Sequence, residues 1–435
     1  MVNFDLIFAL IFYGLILIIF FKTRKRWEVH GILALFKTKI GISLMNKLAK
    51  KDTKPVILFG TFISIVSIII IFIGISFSKT YLIGIGGIFL TIGLLMAMPI
   101  KILGHIGVAL GFLGMAFIFF ILIKSSFSLF LVEDAQPSVA PVLPGVKIPG
   151  LPTLSFWHWI ISIFLLAIVH EFSHGILARA YNLNVKSSGF GFLGPILLAF
   201  VEPDEKQVAK SPQKAQLSLF AAGPFANFIF ALLIVLFSLF ILAPFSQSIF
   251  EYDGITISGF IPDYPAEKSG LKTPFVIKSV NGVQTLNLLE FINTTQNIKP
   301  NQKIALMTDQ GAFTVITTTD PNNSSRGFIG IQGLTQKTKT KENVSEFVGT
   351  SFTWVSLLFM WLFFINVGVG LFNLLPLGPI DGGRMFYVVA LKIFKNENKA
   401  KKVWMFAMYF VLFLIVINFI PWLTKLVTFI TKLFT

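Results

Sequence analysis

The sequence contains no cysteine. That excludes disulfides, thiolate ligands and a thiol nucleophile, and it confines any transition-metal site to His, Asp, Glu and water. Charge is scarce as well: 13% of the residues are Asp, Glu, Lys or Arg, against about 25% in a soluble domain. Only five histidines and 20 acidic residues occur in 435 positions, so a cluster of them stands out. Apolar residues fill the space that is left. They make up 55% of the chain, and the mean hydropathy is +0.81. Several runs reach the ~20 apolar residues that cross a bilayer. This is the composition of a polytopic membrane protein.

Eight runs read as spans, at roughly 4–21, 56–77, 81–100, 104–123, 155–178, 215–243, 350–373 and 403–420. No basic residue precedes the first run and no small-residue cleavage site follows it, so it is expected to be a retained helix. The formal charge of +16 raises nucleic acid as a partner. Its distribution excludes that reading, because the basic residues collect in short connections between spans. The connections on one side hold 22 Lys and Arg, and the short connections on the other side hold 3. The positive-inside rule then predicts that both termini are extracytoplasmic.

Residues 23–54, beginning RKRWEVHGILALF, are basic and partly apolar. They fit an amphipathic helix on the inner surface or a plain cytoplasmic loop. Residues 137–152 repeat proline too often for a helix, and a stiff extended connector on the outer face is expected. Residues 250–340 change character. Short β-type runs, Gly254-Ile-Thr-Ile-Ser258 and Phe275-Val-Ile-Lys-Ser-Val280, alternate with turn signals at Asn281-Gly282 and Asp320-Pro321. A soluble α/β domain is expected there, on the extracytoplasmic side.

The strongest local signal is His170-Glu171-Phe172-Ser173-His174. Residues four apart on a helix share a face, so both imidazoles can reach one ion, and the intervening Glu171 is placed as a general base. At ~1.5 Å per residue, His170 lies ~22 Å from the start of its span. An ionisable group at that depth is expensive and by default marks function. The competing reading has both imidazoles bonded to neighbouring helices with Glu171 turned to the inner surface. A zinc site of this type needs a third protein ligand and leaves a position open. Asp381, in Asn373-Leu-Leu-Pro-Leu-Gly-Pro-Ile-Asp381-Gly-Gly-Arg, ends a stretch whose prolines and glycines break the helix after the seventh span. Alone it would read as a loop or capping residue. With the His pair it becomes the expected third ligand.

Three motifs together resemble the site-2 protease family of intramembrane metalloproteases: HEFSH at 170–174, Gly223-Pro-Phe-Ala-Asn227, and NLLPLGPIDGG at 373–383. Ile380 stands where the family usually has leucine. The resemblance implies one Zn²⁺ per chain held by His170, His174 and Asp381, with Glu171 as base. It implies substrate contact or transition-state support for Asn227 and Asn373. Residues 185–201 resemble the family's membrane-inserted β-hairpin, whose edge would hold an unwound substrate; an ordinary loop is the alternative. Residues 250–340 resemble a PDZ module, on Pro265-Ala-Glu-Lys-Ser-Gly-Leu271 and Val280-Asn-Gly-Val283, although Thr273-Pro274 replaces the usual Gly-Asp. Peptide termini are its expected partners, and a structural gate is the other reading.

The expected fold is an all-α polytopic membrane protein of about eight spans, with a membrane-associated β-hairpin and one inserted soluble α/β PDZ-like domain. The expected division is 1–125 (four spans), 126–154 (connector), 155–249 (first half of a protease core), 250–340 (PDZ-like) and 341–435 (second half). The expected function is a zinc endopeptidase that cuts transmembrane protein substrates within the lipid bilayer, with its site toward the cytoplasmic side and no role for nucleic acid. Two alternatives stay open. A zincin with a glutamate as third ligand is disfavoured because Glu202, Glu205 and Glu397 all lie outside the apolar runs. A zinc transporter would line several spans with ionisable groups.

Overall fold

The computed structural model describes residues 4–132, 135–194 and 196–434. Residues 133–134 of the expected connector and Pro195 of the expected hairpin lie outside them. Among the described residues eight helices are long and apolar enough to cross a membrane, so the chain is a multi-pass membrane protein. Two compact units form, Met1–Leu242 with Val355–Thr435, and Ala243–Trp354.

The chain opens with α1 (Phe4–Thr23), then β1 (Trp27–His30), β2 (Leu33–Thr38) and α2 (Ile42–Ala49). Residues 23–54 are therefore two strands followed by a short helix rather than one continuous helix or a plain loop. Gly31, at φ 61°, supplies the left-handed turn between the two strands. Three spans follow, α3 (Lys54–Ser76), α4 (Thr80–Ala97) and α5 (Ile100–Leu131). The α3–α4 pair packs through small residues: a Cβ on Gly60 would sit 2.5 Å from the Ala97 nitrogen, and one on Gly93 would sit 2.9 Å from the Ser64 nitrogen. Such surfaces let helix backbones approach where lipid offers no hydrophobic drive.

The connector is not extended. Gly145 donates to the carbonyl of Leu154, so the chain folds back on itself. Trp159 Nε1 bonds to Val142 O at 2.9 Å, Trp422 Nε1 bonds to Val139 O at 2.8 Å, and Asn418 Oδ1 accepts from Ser125 and Ser138. Each bond contributes about 1 kcal/mol, and together they tie the connector to the bundle.

Next come α6 (Phe156–Ala180), β3 (Val185–Leu193), β4 (Ile196–Pro203), α7 (Glu205–Lys210) and α8 (Gln213–Phe237), which runs into a π-helical turn at Ser238–Leu242. Ser155 caps α6 by accepting from the His158 nitrogen. Asn182, at φ 59°, ends it, with Leu183 N donating to Ala178 O. This stop sends the chain straight into β3. The four strands make one antiparallel sheet in the order β1-β2-β3-β4. Its aromatic face groups Trp27, Phe36, Phe190 and Phe192, with Phe36 stacked on Phe190 at 5.3 Å.

The second unit holds α9 (Ala243–Ile249), β5 (Phe250–Phe260), β6 (Phe275–Val280), β7 (Val283–Gln284), α10 (Leu288–Thr295), β8 (Lys303–Thr308), β9 (Gly311–Ile316), β10 (Thr318–Asp320), β11 (Asn323–Phe328) and β12 (Ile331–Thr340). One antiparallel sheet runs β12-β5-β6-β8-β9, and β7 pairs with β6. Ile255, Ile257, Phe275, Ile277 and Leu306 form its core. A capping box of Asn287 and Glu290 starts α10.

The chain ends with α11 (Glu346–Asn373), α12 (Asp381–Phe394) and α13 (Glu397–Phe434). A break follows the seventh span, and α12 begins after it with Asp381 as its first residue. Gly382 and Gly383 are obligatory: an added Cβ would lie 2.1 Å from Leu374 O or 1.8 Å from Leu377 O. The start of α12 therefore rests directly on the break that follows α11. From the other side α5 presents Gly104, Gly111 and Gly114 to Leu177, Met385 and Leu374. A span ahead of the metal motifs so fixes the segment that carries Asp381.

Candidate metal centre

Two imidazoles and one carboxylate meet between α6, α8 and α12. His170 Nε2 lies 3.1 Å from Asp381 Oδ2, and His174 Nε2 lies 3.4 Å from the same oxygen. One ligand atom from each residue falls within 4.8 Å of the others. The histidines are buried, at 7% and 9% exposure. The helix turn between residues four apart sets the ring centroids 4.9 Å apart.

The outer contacts fix which nitrogens face inward. His174 Nδ1 lies 2.7 Å from Leu219 O, and a carbonyl can only accept, so Nδ1 carries the proton. Its Nε2 then faces Asp381. His170 Nδ1 lies 3.1 Å from the Asn227 side-chain amide. In the assigned orientation that amide offers its nitrogen, while Asn227 Oδ1 is buried without a partner. Rotating the amide by 180° lets Oδ1 accept from His170 Nδ1–H, the tautomer that leaves Nε2 to face Asp381. Both Nε2 atoms face one carboxylate, and the set His, His, Asp suits zinc, which would take one ligand atom from each.

Gly223 makes the convergence possible. A Cβ there would lie 2.4 Å from His170 Nε2 and 2.5 Å from His174 Nε2. The backbone of α8 is therefore the floor of the site, a close approach that only glycine allows. Gly223→Ala should separate the imidazoles and lower bound zinc to below a tenth of the native content, measured by elemental analysis of the purified chain. Gly368, which has nothing within 4 Å of an added Cβ, is the control, and alanine there should leave the metal in place.

A cleft of about 270 Å³ opens on the trio, lined also by Glu171, Val201, Asn373, Ile380 and Arg384. Glu171 Oε2 accepts from the Val201 backbone nitrogen at 3.1 Å. Val201 lies on β4, the edge strand of the sheet, and gives its N–H to Glu171 rather than to β3, so the outer edge of β4 borders the cleft. Asn373 lines the cleft. Asn227 does not: its exposure is 0% and it faces His170. The expectation of substrate contact at Asn227 is corrected to contact with a candidate ligand, because α8 buries this position behind the imidazole. The Leu219 carbonyl and the reason for Gly223 were also missed. Backbone groups carry no residue signature, although Gly223 does open a motif already singled out.

Residues 158–415 match peptidase family M50. Over 271 residues the chain is 31% identical to an uncharacterized protein of Methanocaldococcus jannaschii, covering 61% of this chain and 64% of that protein. Over 309 residues it is 22% identical to a Fusobacterium nucleatum protein provisionally named as a zinc metalloprotease, covering 58% of this chain and 89% of that one. The family match takes in α6, α8 and α12, which carry the converging His and Asp side chains, and it spans more than half of the sequence. The chain belongs to peptidase family M50, the site-2 protease family.

Proposed function

We propose that the chain is an intramembrane zinc endopeptidase, with His170, His174 and Asp381 as ligands and Glu171 as base. The observation that carries this reading is the convergence of both Nε2 atoms on Asp381 Oδ2 in a cleft that also contains Glu171. When bound there, zinc supplies Lewis-acid polarisation of a carbonyl and makes water acidic enough to attack at neutral pH. Glu171 holds the proton in transit, taking it from the attacking water and delivering it to the leaving nitrogen. Asn373 donates to the developing oxyanion. A helical substrate hides its backbone, so it must unwind before attack. The free edge of β4 receives the unwound segment by strand addition beside Glu171.

Asn227 acts one shell out, holding His170 in the tautomer that leaves Nε2 free. Asn227→Leu should keep the fold and weaken zinc affinity by about 10–100-fold. Competition with a chelator measures this, and unchanged affinity would remove Asn227 from the site.

Residues 250–340 are proposed as a PDZ-like domain. A pocket between α10 and β12, lined by Phe291, Ile331 and Leu334 with Arg326 beside it, supports capture of an apolar peptide terminus. The charge asymmetry supports extracytoplasmic termini and a metal site nearer the cytoplasmic face. The test is cleavage of a single-span substrate with helix-weakening residues, by the purified chain in lipid vesicles. Cleavage lost on chelation and restored by zinc is expected. Zinc flux across the vesicles without cleavage would replace this reading with transport.

A further inference from the structure

A second, larger cavity of about 1040 Å³ adjoins the metal cleft. Both are lined by Val201, Pro203, Leu219, Phe220 and Arg384, so one continues into the other. One wall of the larger groove comes from β1 and β2, which precede the family match. A strand lying along the free edge of β4 past Val201 and Pro203 would leave the cleft through this groove.

Two of its basic groups are already engaged in ion pairs. Lys37 lies 2.9 Å from Glu28 and 3.2 Å from Glu202, and Lys186 lies 3.5 Å from Asp204. Lys206 and Glu205 line only the larger groove, away from the metal cleft. Arg384 differs from all of these. It is the basic side chain that lines both cavities. It enters none of the ion pairs found among the described residues. Its guanidinium carbon sits 5.5 Å from the centre of the Phe220 ring, which steadies the planar group and leaves its N–H edges open. Arg384 is also one helical turn from Asp381, at the start of α12. A planar, permanently charged donor fork at this place matches a carboxylate.

We propose that the groove holds the polar flank of the substrate polypeptide and that Arg384 binds an Asp or Glu side chain of that flank, within a few residues of the cut. The inference rests on the intramembrane protease reading and adds its sequence preference. A lipid phosphate is the less fitting ligand, because the same guanidinium lines the cleft with Glu171 and Asp381, where a peptide strand must lie.

The test uses the full chain in neutral phosphatidylcholine vesicles with single-span substrates. These carry Asp, Asn or Lys at each of six positions on either side of the cut. At one or two positions on one side, Asp should be preferred over Asn by about tenfold in kcat/KM, the strength of one charge-assisted hydrogen bond. Arg384→Gln should bring that ratio to about one, and Arg384→Glu should turn the preference toward Lys. Zinc content per chain, measured on each variant, should equal that of the native protein. Uniform cleavage by the native chain, or a preference that survives Arg384→Gln, would overturn the anchor and leave the protease reading standing. An Arg384-dependent response to added anionic lipid, with no response to the substrate's acid, would assign the site to a headgroup instead. Failure to cut any substrate would overturn the protease reading itself, and the subsite with it.

Discussion

Glu171→Gln should leave the metal in place and remove cleavage. The substitution keeps the volume and the hydrogen-bonding reach of the side chain, including its acceptor for the Val201 N–H. It deletes only the capacity to take up a proton. Glu171 is not among the three residues whose ligand atoms converge, so zinc content should be unchanged. A positioned general base contributes about 10²–10⁴-fold, and kcat should fall by that factor with little change in KM. Single-turnover cleavage and elemental analysis of the same preparation measure both quantities. Retained turnover would remove the base from the mechanism. Loss of zinc would show that the carboxylate is a ligand.

Asp381→Asn should do the opposite and empty the site. The amide has nearly the carboxylate's shape, so the contacts that hold the start of α12 survive. It lacks the negative charge that two neutral imidazoles need from a third ligand. Zinc affinity should drop by more than the ~10–100-fold that outer-shell changes cost, with cleavage lost in parallel. Equilibrium dialysis against a chelator series gives the affinity, and circular dichroism checks the fold. Full zinc occupancy in this variant would place the third ligand elsewhere.

The two variants separate chemistry from binding, and the residues behind them were legible in the sequence for a local reason. The spacing of His170 and His174 is one helical turn, and it lies inside a run whose apolarity dictates a helix. The break at Pro376 and Pro379 likewise announces that the backbone turns near Asp381. The spans were legible because their apolar runs match bilayer thickness, although α5 and α13 extend past them into less apolar turns.

What was not legible depends on partners far along the chain. β2 pairs with β3 across about 150 positions, Phe36 opposite Phe190, and no local pattern in WEVHGILALF reveals that register. The same short basic stretch therefore suited a helix or a loop equally well. α12 has no clear mark in the sequence, because its 14 residues fall short of a span and two glycines follow its first residue, Asp381. Those glycines are needed for contact with the Leu374–Leu377 backbone, not for flexibility. The burial of Asn227 behind His170 is not legible, because depth within a bundle cannot be read from one helix. Its neighbour Gly223 carries the clearest lesson: the missing side chain is what the two imidazoles occupy.

X-ray absorption at the zinc edge of the purified native chain tests the central claim most directly. Two nitrogen neighbours and carboxylate oxygen at about 2.0–2.2 Å are predicted, with the signal lost in Asp381→Asn and the imidazole scattering lost in a His170, His174 double variant. A shell of oxygens alone, or an imidazole signal that survives without His170 and His174, would contradict the account.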